Sequence, residues 1–332
     1  MREFSGRIEL KTGEKVDVAV VRGPDLEWAE RVEALLVHKT GLWSWQNTAV
    51  LQQELGIEVY FYLLCRDGEP FANIMTAEHH GVGHLGHVFT KPEERRKGAA
   101  SQLMGWQMDH FRQRGGRALF LGTGYDSPPY HIYAAHGFVG MESGSGSMEY
   151  YSTSKKAFEA EYFAPAPTVI ETAEWSHWPS SSALFLGDWP GVVRCVSLGL
   201  LGRQSTEHPF LYLLHAEKEW RNNGGEAQAK TLVQTESKAV VGLVRWSWDV
   251  LRPQTCLVDL FCHPHYWGEA DGLLASLSLP AAERFVVYAD DLCGEKGEIL
   301  QRAGFRQTGC YDQRVATDRV RSKWADVTVW EK

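Results

Sequence analysis

A basic turn built from small residues has the composition of a phosphate-binding loop. Its three cations come first and are Arg95, Arg96 and Lys97. Gly98 follows, and glycine adopts backbone angles that other residues avoid and lets a ligand come close. The next three residues have little bulk and are Ala99, Ala100 and Ser101. Backbone N–H groups that open a helix, with positive charge beside them, bind phosphate, so we expect an anion site here.

The elements around this turn are predicted to be a strand, a helix and a second strand. Residues 82–90 form the strand that leads into the turn, and residues 118–121 form the second strand. The helix between them has apolar residues at Leu103, Trp106 and Phe111. By itself, the turn also fits a solvated basic loop that caps an ordinary helix.

Two motifs, in this order, resemble the GNAT superfamily of acyl-CoA-dependent N-acetyltransferases. The first is Val-Phe-Thr-Lys-Pro-Glu-x-Arg-Arg-x-Gly-x-Ala at residues 88–100, and the second is Tyr133-x-x-x-Gly137-Phe138. Arg95, Gly98 and Ala100 match the first, fourth and sixth positions of the family's Arg/Gln-x-x-Gly-x-Gly/Ala motif. The resemblance concerns fold and cosubstrate and is nearly silent on the acyl acceptor.

The resemblance implies a role for each matched segment, with acetyl-CoA as cosubstrate and no metal. The pantetheine arm would pair with backbone groups of Val88, Phe89 and Thr90. The pyrophosphate would lie against the N–H groups of residues 96–100, with Arg95 and Ser101 at the edges of that loop. Tyr133 would protonate the coenzyme A thiolate as it leaves.

A phenol suits this last role because it stays protonated at neutral pH, with a reference pKa of about 10. The alternative is that Tyr133 is a packing residue that lies beside Phe138.

Direct transfer also needs a base, and the strand before the loop offers His84 and His87. In this superfamily a carboxylate on the same strand often serves, so this sequence departs from the commonest pattern. Histidine titrates near neutral pH and can take the proton. The two histidines are three residues apart, so a regular strand points them to opposite faces unless a bulge intervenes. His84 is preferred, although each histidine by itself also fits a structural role.

Length and composition favour a cytoplasmic protein with two domains. The chain has 332 residues, 44% of them hydrophobic, and a net charge of -8, which argues against general nucleic-acid binding. A run of about 18 apolar residues would indicate a membrane span, and the sequence contains none. The six cysteines include no C-x-x-C pair, so we expect reduced and mostly buried thiols.

The C-terminal half repeats the plan of the N-terminal half. Pro92 and Pro264 are 172 residues apart, the loop glycines Gly98 and Gly268 are 170 apart, and the closing glycines Gly137 and Gly304 are 167 apart. A nearly constant period over three landmarks indicates an internal duplication.

The second copy departs from the family at the residues that would carry chemistry. Its loop, residues 265–270 (HYWGEA), contains neither arginine nor lysine, and Glu269 would repel phosphate. Leu300 stands where the first copy has Tyr133, four positions before the closing glycine. We expect a fold that does not transfer acetyl groups, although a second site for an uncharged ligand is an alternative.

These observations predict an α/β protein (α+β, mixed sheet) made of two tandem acyl-CoA N-acyltransferase domains. Residues 1–151 form the catalytic GNAT domain, residues 152–166 a linker and residues 167–332 a degenerate GNAT-like domain. The expected reaction is direct transfer of acetyl to a primary amine of an unidentified acceptor, either a small molecule or a peptide. We expect a monomer or homodimer with neither nucleic-acid nor membrane partners.

Two rival hypotheses remain open at this stage. One is a zinc site made by His79, His80, His84 and His87, or by Cys262, His263 and His265, although the spacing fits no standard metal motif. The other is a non-enzymatic acyl-CoA sensor or interaction protein, against which the retention of Tyr133 argues. One further expectation is a mobile loop at residues 217–226 (EKEWRNNGGE).

Overall fold

A computed structural model describes residues 2–332, with side chains from Gly6 onward. The chain divides into two compact units. The N-terminal unit consists of residues 1–141 and 145–154, and the C-terminal unit of residues 142–144 and 155–332. Each unit contains one large mixed sheet with helices packed on it, and the predicted mixed α/β class is therefore confirmed.

The N-terminal unit contains eight strands and four α-helices within the described residues. The strands are β1 (Arg2–Glu9), β2 (Lys15–Gly23), β3 (Glu58–Arg66), β4 (Glu69–His79), β5 (Val82–Thr90), β6 (Ala118–Gly122), β7 (Val139–Gly140) and β8 (Ser147–Tyr151). The helices are α1 (Leu26–Leu35), α2 (Leu42–Gln52), α3 (Ala99–Gln113) and α4 (Pro128–Ala135). The strand order is β1-β2-β3-β4-β5-β6-β8-β7, and β5 and β6 are parallel.

Local sequence explains the boundaries of several of these elements. The Asp25 carboxylate accepts hydrogen bonds from the N–H groups of Glu27 and Trp28, which begins α1 as an N-cap does. Asp67 and Gly68 both have positive φ between β3 and β4, as a tight hairpin turn requires. The predicted hairpin and the predicted start of α1 are both present. The sequence analysis did not predict β1, which pairs antiparallel with β2.

One face of this sheet packs against α3, and the main core lies between them. Leu103, Met104, Met108 and Phe111 of α3 contribute to it. The sheet supplies Tyr62, Ile74, Leu85 and Leu119, among others. The opposite face carries α1 and α2, since the amide of Gln46 in α2 donates a hydrogen bond to the sulfur of Met75. Alternation along β4 and β5 therefore decides which residues meet each helical layer.

The C-terminal unit contains nine strands and five α-helices within the described residues. The strands are β9 (Thr168–Thr172), β10 (Val193–Cys195), β11 (Leu200–Leu201), β12 (Ala229–Gln234), β13 (Val240–Trp248), β14 (Thr255–Cys262), β15 (Arg284–Asp290), β16 (Arg306–Ala316) and β17 (Trp324–Glu331). The helices are α5 (Lys155–Tyr162), α6 (Trp178–Leu186), α7 (Glu207–Asn222), α8 (Ala270–Ala275) and α9 (Gly294–Arg302).

The large sheet of this unit has the order β9-β12-β13-β14-β15-β17-β16. Strands β14 and β15 are its parallel pair. With β1 set aside, this order repeats that of the N-terminal sheet strand by strand, including the swapped last pair. Strands β10 and β11 form a separate small sheet.

The predicted mobile loop at residues 217–226 is wrong over its first part. Residues 217–222 belong to α7, and Glu217 is buried. Its carboxylate accepts the Gln228 N–H at 3.0 Å. The run of charged residues suggested a solvated loop, whereas the buried Leu213, Leu214 and Glu217 hold this helix against the unit.

Candidate active site

The basic turn has the backbone shape expected of an anion loop. Gly98 is the residue before α3, and its φ of 85° lies in the left-handed region. Arg96 also has positive φ, 65°. Among the described residues, no side chain caps the first turn of α3. The small residues Ala99 and Ala100 are buried and half-buried, and Ser101 is exposed, so the start of the helix carries little bulk.

The three cations of the turn differ in what they contact. The Lys97 ammonium lies 3.1 Å from a carboxylate oxygen of Glu94, which Arg66 also contacts at 3.0 Å. The hydrogen bond from Arg66 lowers the pKa of Glu94. Arg95 and Arg96 are exposed, and the Arg95 Nε donates to the Thr90 carbonyl at 3.1 Å. The two arginines are therefore the cations of the turn that face solvent.

Lys11 is a further cation at this loop that the sequence analysis did not identify. Its N–H donates to the Lys97 carbonyl at 3.0 Å. A Cβ added to Gly98 would lie 3.0 Å from the Lys11 side chain. Lys11 comes from the β1–β2 turn, about 85 residues earlier in the chain, so no local pattern links it to the loop.

A β-bulge interrupts β5 just before the turn. The register with β4 shifts between Asn73↔Phe89 and Met75↔Gly86, so His87 and Val88 together lie opposite one residue. His87 has a φ of 50°. The buried Asn73 amide donates to the His87 carbonyl at 2.8 Å and holds the bulge in place. The extra residue of a bulge is left out of the ladder, which makes main-chain groups available here.

The bulge brings both candidate bases to the same face, contrary to the alternation of a regular strand. Met75 contacts α2, and Ala77 lies on the same face two residues later. His84 is the cross-strand partner of Ala77 and shares that face. His87 reaches the same helix through Gln46. The extra residue resets the alternation, so the exception that the sequence analysis named, a bulge between His84 and His87, is present.

His87 is held as a neutral imidazole with one nitrogen unused. The distance between its Nε2 and the Gln46 Oε1 is 2.6 Å, so Nε2 carries the proton and donates it. Nδ1 is buried and lacks a hydrogen-bond partner among the described residues. Trp43 lies edge-on to the ring at 5.2 Å. Burial lowers the pKa of His87 to about 3, because the charged form loses its water.

A gap opens beside the bulge because the two parallel strands diverge. Strands β5 and β6 pair only at Val82↔Ala118, Gly83↔Leu119 and His84↔Phe120. Beyond His84 each strand continues without the other. Val88, Phe89 and Thr90 form the open end of β5 and are half-buried. Phe89 also packs against His38, with ring centroids 4.1 Å apart.

Tyr133 lies in α4 and is almost fully buried. Its ring is 6.2 Å from that of Phe138, and it belongs to the core of the unit. The helix begins at Ser127, whose hydroxyl accepts the Tyr130 N–H. Packing beside Phe138, the alternative considered from sequence, is thus present.

Residues 26–138 match the family model described as Acetyltransferase (GNAT) family. A search of curated proteins finds no match. Among solved structures, the N-acetyltransferase from Staphylococcus aureus Mu50 has 16% identity and a TM-score of 0.38, over 50% of this chain and 98% of that one. The GNAT domain of S. lividans PAT has 13% identity and a TM-score of 0.33, over 44% and 96%.

A third similar structure is the ribosomal-protein-S18-alanine N-acetyltransferase from Escherichia coli, with 14% identity and a TM-score of 0.33, over 41% of this chain and 95% of that one. These likenesses are distant. The matched family domain contains both sequence motifs and every residue of the site described above except Lys11. The family match therefore identifies residues 26–138, about a third of the chain, as a GNAT-family acetyltransferase domain.

The corresponding region of the C-terminal unit is filled by its own chain. Strands β14 and β15 also pair at only three positions, from Thr255↔Arg284 to Leu257↔Val286. Residues 187–206, which we call the inserted segment, lie between α6 and α7. Asp290 of β15 accepts the N–H groups of Val192 and Val193 at 2.9 and 2.7 Å.

Asp259 of β14 holds the other end of the same stretch. Its two oxygens accept the N–H groups of Val196 and Ser197 at 2.6 and 3.0 Å. The buried Lys296 ammonium donates to the Val193 carbonyl at 3.0 Å. The inserted segment therefore bridges the two parallel strands beyond the point where they diverge.

The histidine groups considered for zinc do not form a metal cluster among the described residues. Donor atoms lie close enough in two other groups, Glu171 with Glu174 and His177, and Cys310 with Asp312 and Asp326. In the first group, His177 already contacts Glu171 at 2.9 Å. Five of the six cysteines are buried, and all six are free thiols in the described chain.

Across residues 2–332, the helices are either too short or too polar to cross a bilayer.

Proposed function

We propose that the N-terminal domain transfers an acetyl group from acetyl-CoA directly to a primary amine, and that the C-terminal domain does not catalyse this reaction. The observation that carries the proposal is the gap between β5 and β6, with a bulge on one side and an open helix start below it. An extended pantetheine arm pairs with the free edge of such a strand, and a pyrophosphate lies against such a helix start.

Each end of the cosubstrate has a group that suits it. The first-turn amides after Gly98, at Ala99, Ala100 and Ser101, hold the pyrophosphate, and Arg95 and Arg96 supply charge from solvent. Backbone groups of Val88, Phe89 and Thr90 pair with the pantetheine arm. A main-chain N–H at the bulge stabilises the oxyanion that forms on the thioester carbonyl.

Two side chains handle the protons. The amine nitrogen attacks the thioester carbonyl, and the proton that this nitrogen loses goes to a histidine of β5, either His84 or His87. When the carbon–sulfur bond breaks, Tyr133 donates its phenolic proton to the thiolate. The Nδ1 of His87 lies at the bulge itself, whereas His84 lies where β5 is still paired on both sides. Because burial lowers the pKa of His87 to about 3, this nitrogen is better suited to accept a hydrogen bond from the amine than to take its proton. A metal ion has no step in this scheme.

The C-terminal domain lacks every one of these features. Its loop has no cation, Leu300 replaces the tyrosine, and the inserted segment occupies the gap. The register of β13 with β14 runs continuously from Gly242↔Cys262 to Trp248↔Cys256, so no bulge presents main-chain groups there. We infer that this domain, residues 167–332, is a degenerate copy joined through residues 152–166.

The test is release of free thiol from acetyl-CoA in the presence of a panel of amines. The panel contains small amines, amino acids, polyamines and peptides with a free N-terminus or lysine. We expect turnover with at least one acceptor, and binding of one coenzyme A per chain by calorimetry. Tight binding without turnover on the whole panel would favour the acyl-CoA sensor instead. Two equivalents of coenzyme A per chain would contradict the degenerate second domain.

A further inference from the structure

We propose that the C-terminal unit binds a small organic anion, a carboxylate or phosphate carried on a flat apolar body. The site is a cleft of about 670 Å³ over the face of the sheet that carries the inserted segment. Its volume lies in the range of small-molecule sites, about 300–1,000 Å³. This inference is independent of acetyl transfer by the N-terminal domain.

The polar centre of the cleft is a buried arginine, two of whose nitrogens have no hydrogen-bond partner among the described residues. Arg245 lies in β13 and is 4% exposed. Its Nε and Nη1 are buried, and neither has a hydrogen-bond partner in the described residues. A buried charge without a partner is costly, and proteins normally supply one. A guanidinium that lines an open cleft and has unpaired N–H groups is suited to bind an anion from solution.

Two carboxylates lie near Arg245, but the backbone already engages both. Asp259 is its direct cross-strand neighbour, and the oxygens of Asp259 accept N–H groups from the inserted segment. The Glu217 carboxylate accepts the Gln228 N–H. Their negative charges stabilise the buried guanidinium electrostatically. They do not accept hydrogen bonds from Nε or Nη1 of Arg245.

The walls of the cleft are aromatic and apolar. Four rings line it, from Tyr212, Trp248, Tyr288 and Tyr311. Trp248 and Tyr311 are 41% and 53% exposed, and the neighbouring Val250 is 95% exposed. Aromatic walls favour a flat apolar ligand body, and so much exposed apolar surface beside a buried charge is typical of a binding site.

The other charged groups at the cleft agree with an anionic ligand. The Asp249 carboxylate is paired with Arg252 at 2.8 Å. Arg314 lies at the opposite side, over the ring of Tyr311. The unpaired charge that faces the cleft is therefore positive.

Three probes with one common ring system test the proposal by calorimetry on the full chain. They are 2-naphthoate, 2-naphthyl phosphate and the neutral 2-naphthamide. We expect at least one anion to bind about tenfold or more tightly than the amide, since a charged hydrogen bond to the guanidinium contributes at least that factor. The better of the two anions identifies the ligand's acidic group.

Two variants locate the binding. Arg245→Met keeps the volume and removes the charge, and we expect it to bind the anions only as weakly as the amide. Its melting temperature should equal or exceed that of the wild type, because an unpaired buried charge is removed. Ser247→Trp keeps Arg245 and fills the cleft, and it should abolish binding of all three probes. Arg306→Met, at an exposed arginine of β16 outside the lining, is the matched control.

Three results would overturn the proposal. One is equal affinity for acid and amide. Another is undiminished anion binding by Arg245→Met or Ser247→Trp. The third is absence of saturable binding by any probe below about 1 mM, the weakest affinity of interest for such a site. A lower melting temperature of Arg245→Met would also count against it, because the fold would then be what uses the arginine.

Discussion

In the N-terminal unit, β5 and β6 separate after three residue pairs, and the space between them leads to the basic loop. In the C-terminal unit, β14 and β15 separate after the same number of pairs, but Asp259 and Asp290 hold a stretch of the inserted segment across the space. The same strand order thus supports an open gap in one unit and a filled gap in the other.

The residues at matching positions show how the filling is achieved. Counted from the first parallel pair, Asp259 corresponds to Gly86, and Asp290 corresponds to Gly124. Glycine leaves the gap without side chains, whereas each aspartate binds two N–H groups of the inserted segment. The N-terminal unit connects its two corresponding helices with only residues 36–41, which are too few to reach across.

The comparison teaches that two separate features, a loop without cations and a filled gap, would keep the cosubstrate out of the C-terminal unit, as we propose. A loop without cations would bind phosphate weakly. A gap occupied by hydrogen-bonded backbone excludes the pantetheine arm as well. The two changes are separable by mutation, and the following predictions are ordered by the size of the expected effect.

The largest effect is expected from a bulky residue in the N-terminal loop. Gly98 has positive φ, and a Cβ added to it would lie 3.0 Å from the Lys11 side chain. Gly98→Trp therefore both strains the backbone and covers the helix start. We expect coenzyme A affinity to fall about 1,000-fold, roughly 4 kcal/mol, measured by calorimetry.

The matched control is Gly268→Trp in the C-terminal loop. Gly268 is exposed, and an added Cβ meets no described atom within 4 Å. This variant should bind coenzyme A as the wild type does. An equal loss from both variants would mean that the two loops share the cosubstrate and that the comparison is wrong.

The next effect concerns Tyr133, the proposed proton donor of the N-terminal domain. Tyr133→Phe keeps the packing on Phe138 and removes the hydroxyl, so we expect kcat to fall about 100-fold while coenzyme A affinity stays within a factor of about two. Tyr130→Phe, in the same helix, should change neither quantity appreciably. Steady-state thiol release distinguishes these outcomes, and an unchanged kcat in Tyr133→Phe would remove the tyrosine from the mechanism.

A smaller effect is expected from loosening the filled gap. Asp290→Ala leaves the buried N–H groups of Val192 and Val193 without an acceptor, and we expect a loss of about 2 kcal/mol in the unfolding free energy of the C-terminal unit. The neighbouring Asp291→Ala removes an exposed carboxylate and should cost less than about 1 kcal/mol. Chemical denaturation at pH 7.5 measures both.

Coenzyme A stoichiometry should remain one per chain in Asp290→Ala, because the loop before α8 still lacks cations. Binding of a second equivalent would show that the inserted segment alone closes that site.

The smallest effect is a pH dependence that both units share. Burial lowers the pKa of His87 and of His263 to about 3, whereas unfolded histidine has a pKa of about 6.5. Below that value the unfolded chain takes up a proton that the folded chain refuses, so stability falls as pH decreases toward 3. Between pH 7.5 and 5.5 each histidine should account for about 1.4 kcal/mol.

His87→Phe and His263→Phe should each remove that share of the loss from their own unit and leave the other unit unchanged. Denaturation curves at the two pH values test this. A loss in acid that persists undiminished in either variant would show that the histidine is not the titrating group.

Much of the fold could be predicted because local patterns are strong where packing is regular. The alternating run of Val82–Thr90 and the Asp67-Gly68 turn indicated their elements directly. A period in the sequence predicted an internal duplication, and the two large sheets have like strand orders. The family and the mixed α/β class were predicted from the residues around the loop and are confirmed. The charged residues of 217–226 predicted a mobile loop, which is wrong for residues 217–222 because they belong to α7. The packing that holds this helix comes from other parts of the chain.

The candidate site was predictable only in its local half. The loop cations and Gly98 lie within a few residues of one another, so their spacing carries information. Lys11, Gln46 and Asn73 reach the site from other elements, and only Asn73 left a trace, as a polar residue within the apolar run of β4. The bulge at His87 is invisible in a pattern of alternating residues, because the extra residue is defined by its partner strand.

The sequence by itself determined that this chain carries a glycine-containing helix start twice. The first has three cations before its glycine, and the second has neither arginine nor lysine. Only the tertiary structure decided that one gap is open and the other filled, because residues 192–197 meet Asp259 and Asp290 about 60 and 100 positions later in the chain. It also decided that Nε and Nη1 of Arg245 are buried without a hydrogen-bond partner among the described residues, since the burial of a charge depends on every element packed around it.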